Sequence, residues 1–257
     1  MVEPIVVFSF VVALVFTTVI PVAITVILAV RKKISIIPFM VGAMAFFISQ
    51  MLIRIPLLSA LSALDPVQSF ATQFFLAYVI ILCFSAGLFE ESARLTGAII
   101  LKKHRSYKDV ISFGLGHGFC EVVWLIGMAH INNIICTLAI NYPGGLFSGL
   151  IPPEMLEQVA EVMLNVNPVH IYLGLLERLS AVVIHIFATV LVFKGVIHKK
   201  YIYYILAIIV HTLANLVAVL LNEYVNLYVS EAALLLIAIA MGVYILNSKK
   251  SFKEPAA

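Results

Sequence analysis

Long apolar runs, broken by short polar or charged links, account for most of the chain. They fall at roughly residues 5–30, 34–56, 70–101, 110–138, 168–193, 201–222 and 229–246, and a helix needs about 20 apolar residues to cross the hydrocarbon of a bilayer. The pattern predicts an all-α architecture of seven membrane-spanning helices in one transmembrane domain, residues 1–257. Two runs are over-long, and Gly87 in the third with Gly114, Gly116 and Gly118 in the fourth mark kinks or points of close packing. The longest piece outside the runs, 139–167, begins with a Pro-Gly-Gly turn and continues into an amphipathic stretch at 153–164. That stretch is expected to be a short helix against the outer membrane surface.

Charge then orients the runs. Only 11% of residues are charged and 63% are hydrophobic, whereas a soluble domain is about 25% charged. A multi-pass protein of the cell membrane is therefore expected, with lipid around it. The net charge of +3 is no nucleic-acid signature, because the cations follow membrane topology. Arg31, Lys32 and Lys33 form one cluster, and Lys102, Lys103, Arg105 and Lys108 a second. Lys194, Lys199 and Lys200 form a third, and Lys249, Lys250 and Lys253 a fourth. Seven spans put all four on one side, which the positive-inside rule makes cytoplasmic, with the N-terminus outside and the C-terminus inside. The first run is not read as a cleavable signal peptide, since it opens at Glu3, is too long and has its cations behind it. Cys83, Cys120 and Cys136 sit in apolar stretches without metal-site spacing and read as packing residues.

Three of the 16 basic residues remain outside those clusters. Arg54 stands near the outer end of the second run, where it is expected to snorkel. Arg94 follows Glu90 and Glu91, and Arg178 follows Glu177, so both have the carboxylate company that intramembrane cations need. At about 1.5 Å per residue, Glu90 and Glu91 lie roughly 16–18 Å from Lys102, near mid-membrane. The same count puts His117, Glu121, His185 and His211 about 12–18 Å from the cytoplasmic ends of their runs. His104 and His198 fall among the basic clusters, and His130 and His170 near the outer face. Glu90 shares a helix face with Arg94, His117 with Glu121, and His211 with Asn215, each four residues apart. Carboxylates and imidazoles from four helices thus meet in one layer, which describes a polar, water-reachable cavity. Glu177 and Arg178 lie above that layer and read as a structural pair.

Such a set suits hydrolysis. Three imidazoles, His117, His185 and His211, can hold Zn²⁺ and leave a fourth position for water. Without a metal, a glutamate–histidine pair can polarise water directly. Glu90, Glu91 or Glu121 can serve as general base, Glu90 being preferred because its stripe includes Arg94. Arg94 or Asn215 can stabilise an oxyanion. A proton-coupled transporter would use similar residues, and so would a scaffold subunit that keeps them for structure.

"EESAR" (90–94), "FGLGHG" (113–118), "ERLSAVVIH" (177–185) and "HTLAN" (211–215) resemble the YhfC family of intramembrane metalloproteases. The same pattern is similar to the wider clan of CAAX prenyl endopeptidases and their bacterial CPBP relatives, PrsW proteases and the anterior-pharynx-defective subunit of γ-secretase. The resemblance covers about residues 70–220. It implies a seven-helix, N-outside peptidase acting on a membrane-embedded or membrane-anchored peptide. Glu90 or Glu91 would activate water, His117 and His211 would bind metal or polarise the site, and Asn215 would stabilise the oxyanion. Arg94 comes one position sooner after the glutamates than in the CAAX pattern. His185 has no counterpart in that pattern but fits the YhfC type.

Overall fold

The computed structural model describes residues 1–252; Lys253, the last cation of the fourth basic cluster, lies outside them. Among the described residues every regular element is helical. Among the described residues seven helices are long and apolar enough to cross a membrane: span 1 Pro4–Val30, span 2 Ile36–Ser62, span 3 Phe75–Ile100, span 4 Tyr107–Asn141, span 5 Pro168–His198, span 6 Ile202–Tyr224 and span 7 Leu227–Ser251. The chain is an all-α, multi-pass membrane protein. A further helix occupies Pro153–Leu164, where the apolar positions recur on one face.

Two departures from the hydropathy pattern have physical causes. The third run does not continue back to residue 70. Asp65–Gln73 is a separate helix, with Asp65 and a proline opening it, and the chain breaks at Phe74 (φ −125°, ψ 51°). Its Gln68, Ser69, Thr72 and Gln73 make it too polar to share the apolar environment of span 3. The second departure is internal. Spans 1, 2 and 4 contain π-helical segments at Val15–Val19, Phe47–Arg54 and Val122–Gly127. Such segments widen the turn, shift the facing of everything beyond them, and occur preferentially at functional sites.

The chain divides into two compact units. One comprises Met1–Ile27 and Val122–Arg178. Its core places Val2, Val6, Phe10 and Ala13, one stripe of span 1, against Met163, Ile171 and Leu175. The chain start is tied down by Asn141, whose side chain both accepts from the Val2 N–H at 2.6 Å and donates to the Val2 carbonyl at 2.9 Å. In this unit Glu177 and Arg178 pair with each other.

The other unit comprises Leu28–Glu121 and Leu179–Ala257. Spans 2 and 4 press together at Gly42 and Gly116. A β-carbon on either glycine would collide with backbone, that of Phe113 or Phe39 respectively, so only glycine permits this approach. Phe113 stacks edge-on against Phe193 at 5.4 Å between centroids, and Val190, Val192 and Phe193 are fully buried beneath. This tight apolar base holds the neighbouring polar residues in register.

Candidate active site

Span 3 carries Glu90, Glu91 and Arg94 on one buried stripe; Glu91 and Arg94 have no exposed surface at all. The i, i+3 and i, i+4 spacings let one guanidinium serve both acids. Arg94 forms an ion pair with Glu91, and its Nη2 lies 3.4 Å from Glu90 Oε2. The same Nη2 is 2.6 Å from His185 Nδ1 on span 5. A guanidinium can only donate, so His185 Nδ1 accepts and the ring proton resides on Nε2. That Nε2–H donates to Glu121 of span 4.

The other two imidazoles close around the same carboxylate. His117 Nε2 is 2.9 Å from Glu90 Oε2. His211 donates from Nδ1 to Glu91 Oε1 at 2.8 Å, which leaves its Nε2 facing Glu90 Oε1 at 3.8 Å. His185 Nδ1 is 3.7 Å from Glu90 Oε2. The rings of His117 and His185 are 5.1 Å apart and those of His185 and His211 5.6 Å. Spans 3, 4, 5 and 6 therefore bring Glu90, Glu91, Arg94, His117, Glu121, His185 and His211 together. The sequence reading sets the glutamates around a point shared by three imidazoles; the structure sets the Glu90 carboxylate at that point.

The donor set fits a metal ion. Ligand atoms of Glu90, His117 and His185 lie within 4.8 Å of one another, and all three residues are buried. Tetrahedral zinc with ligands at about 2.0–2.1 Å separates them by about 3.3 Å, and the 2.9 and 3.7 Å measured between Glu90 and the two imidazoles bracket that value. His211, the third imidazole expected to bind, is not in this closest set. His185 and His211 each give their outward N–H to a glutamate, the supporting arrangement typical of metal-binding histidines. One contact opposes loading: Arg94 occupies the His185 Nδ1 lone pair and must release it to an ion. Glu91 Oε2, Arg94 Nε and His117 Nδ1 are buried without a hydrogen-bond partner among the described residues. Unsatisfied buried polar atoms at this density mark a place built for further ligands.

Asn215 lies one turn beyond His211 on span 6, half-buried. Arg54 departs from the expected snorkelling. It turns inward, donating to the Leu82 carbonyl at 2.8 Å, Ser85 Oγ at 3.1 Å and Gln50 Oε1 at 3.1 Å. Three neutral acceptors inside the fold replace the headgroups it would otherwise seek. Gln50, unremarked in the sequence, is only 3% exposed. Because arginine cannot accept, its Oε1 must face Arg54, and its Nε2 is a buried donor with no acceptor among the described residues. Phe46, one turn earlier, stands edge-on to the His117 ring at 5.3 Å. The four-residue spacing of Phe46, Gln50 and Arg54 was the available signal; the π-helical turn that accompanies it left none.

Comparison with known proteins bears on this constellation. The family model described as "YhfC intramembrane metalloprotease" matches residues 16–237. The chain is 29% identical over 222 residues to "Uncharacterized membrane protein YhfC" of Bacillus subtilis (strain 168), covering 84% of this chain and 85% of that protein. No solved structure matches it. The match spans every residue of the buried Glu–His–Arg centre, and the chain belongs to the YhfC intramembrane metalloprotease family.

Proposed function

We propose that this protein is an endopeptidase that hydrolyses a peptide bond within or next to the bilayer, with Glu90 as general base. The observation that carries this reading is the Glu90 carboxylate, buried and faced by nitrogens of His117, His185, His211 and Arg94. Glu91 is engaged by Arg94 and His211, and Glu121 by His185. Both oxygens of Glu90 are faced by imidazole nitrogens of the centre, beside which a water would lie. Glu90 takes the proton of that water and returns it to the leaving amine. His117 and His185, and His211 in place of Glu90 once that carboxylate acts as base rather than as the third donor of the closest set, would hold a zinc ion, which would supply the Lewis acidity that activates water at neutral pH. Arg94 pairs with both carboxylates and orients them. Asn215 and the spare Gln50 Nε2 donor stabilise the oxyanion.

The Arg94–His185 hydrogen bond favours a second reading, in which no ion binds and Glu90 with His117 polarises the water directly. Both readings put the protein with the CAAX, CPBP and PrsW peptidases and in the cell membrane. A membrane-borne peptide is the substrate class that fits. An apolar groove of about 740 Å³ runs between spans 2 and 3, lined by Met40, Met44 and Ser49 on one side and Phe89, Ala93 and Gly97 on the other. Phe89 and Ala93 directly precede Glu90 and Arg94, so the groove flanks the site.

N-terminal peptide mass spectrometry of membranes from cells expressing wild type or Glu90→Gln tests the proposal. Glutamine keeps size and hydrogen bonding but cannot take the proton, so new N-termini in or beside apolar segments should fall at least about a hundredfold. Equal yields from both proteins would refute it.

A further inference from the structure

Span 2 carries a cation that the hydrolytic centre leaves unused. Arg54 closes the π-helical segment Phe47–Arg54 and stands about 12 Å inside the Ser62 end of its span. The other two intramembrane arginines have carboxylates, Arg94 pairing with Glu90 and Glu91 and Arg178 with Glu177. Arg54 has no ion pair among the described residues. Its hydrogen bonds go to three neutral oxygens: Gln50 Oε1, Ser85 Oγ and the Leu82 carbonyl. A guanidinium has five N–H donors, so two remain. A charge at this depth is costly, and a neutral donor would suffice to tie span 2 to span 3. An arginine there is explained by an anion that arrives with a ligand.

The guanidinium is held in one orientation. Ser85 Oγ accepts from Arg54 Nε and gives its own proton to the Leu82 carbonyl at 2.9 Å, which also accepts Arg54 Nη2. Two residues of span 3 and the amide of Gln50 thus fix all three nitrogens. The apolar groove between spans 2 and 3 ends beside this group. On one wall Ile53 directly precedes Arg54, and on the other Leu88 and Phe89 lie one turn past Ser85. From Ile53 the groove runs back to Met40, about 20 Å of helix, or about six residues of extended peptide. Groove, cation and Glu90 all belong to one compact unit.

We propose that Arg54 selects the substrate: an apolar peptide segment lies in the groove and carries an aspartate or glutamate side chain that pairs with Arg54. This rests on the endopeptidase reading and adds a specificity-determining residue to it. The apolar walls match the segment, and the unmatched cation matches the acid. A segment that crosses the bilayer continues past Arg54 for the remaining 12 Å or so of span, so the acid is a side chain and not a chain end. Ser85 and Glu90 are about 7.5 Å apart along span 3, which an extended peptide covers in two or three residues at about 3.3 Å each. The acid therefore stands two or three residues from the bond that is cut. A neutral analogue would leave the arginine unmatched and be rejected, as sites with polar groups left unpaired do.

N-terminal peptide mass spectrometry of membranes from cells expressing wild type, Glu90→Gln, Arg54→Gln or Arg54→Glu tests it. Bonds cut by wild type and spared by Glu90→Gln should have Asp or Glu two or three residues away, inside the apolar segment. Arg54→Glu should cut them poorly and turn the preference at that position to Lys or Arg, a reversal that loss of a structural tie cannot produce. In one cleaved protein, changing the acid to its amide should lower cleavage by wild type about 30-fold, the low end for breaking a buried charge pair. The same change should leave cleavage by Arg54→Gln nearly unaltered. Glu90-dependent cleavage without an acid at that position, or an acid dependence that persists in Arg54→Gln, overturns the selection by Arg54 and leaves the endopeptidase reading standing. Absence of Glu90-dependent cleavage overturns both. The pattern of wild-type sites requires no Arg54 variant, and it decides the matter if those variants fail to accumulate.

Discussion

Arg94 is the residue whose loss should cost most, and the cost can be worked from its contacts. It is fully buried, ion-paired with Glu91, 3.4 Å from Glu90 and hydrogen-bonded to His185. At an effective dielectric of about 20, unit charges 3.4 Å apart attract by about 5 kcal/mol. Desolvation and relaxation consume part of that, and removing one partner of a buried pair typically costs about 3–5 kcal/mol. Arg94→Ala should destabilise the protein by that amount in denaturant titration of the purified protein. Arg94→Lys should recover only part, since one ammonium cannot reach three partners in the geometry of a planar guanidinium. Adding Glu91→Gln to Arg94→Ala removes one stranded charge, so the double variant should be more stable than the sum of the single changes by about 0.5–3 kcal/mol. Additive effects, or a loss under about 1 kcal/mol for Arg94→Ala, would refute the view of a charge-compensated centre.

Glu121→Gln should lower zinc affinity about 10–100-fold in chelator competition, because Glu121 orients the His185 ring rather than binding the ion; unchanged affinity would remove it from the site. Gln50→Glu keeps the acceptor for Arg54 but deletes the spare Nε2 donor, so cleavage should drop about 10²–10³-fold with folding retained. Full activity of that variant would show that Nε2 faces no reacting oxygen. Single cysteines at Asp65, Tyr142 and Asn226 should label from the outside, and labelling of any one from the cytoplasm would break the proposed orientation.

Hydropathy and charge alone determine much of this protein. Seven apolar runs leave a membrane chain no alternative to helices, since no water is present to satisfy open backbone groups. Intramembrane charges are costly enough that Glu90, Glu91, Arg94, His117, Glu121, His185 and His211 stand out against their surroundings. Counting 1.5 Å per residue then puts them at one depth without reference to packing. Depth along an axis is a one-dimensional quantity, and sequence carries it. Rotation about the axis and partner choice are not. That Glu90 itself takes the point shared by the three imidazoles follows from side-chain reach across four helices, and that Arg94 bridges Glu91 and His185 depends on the same approach. The inward turn of Arg54 and the spare donor of Gln50 accompany a π-helical segment, and a single widened turn re-aims side chains without altering hydrophobic periodicity enough to be read.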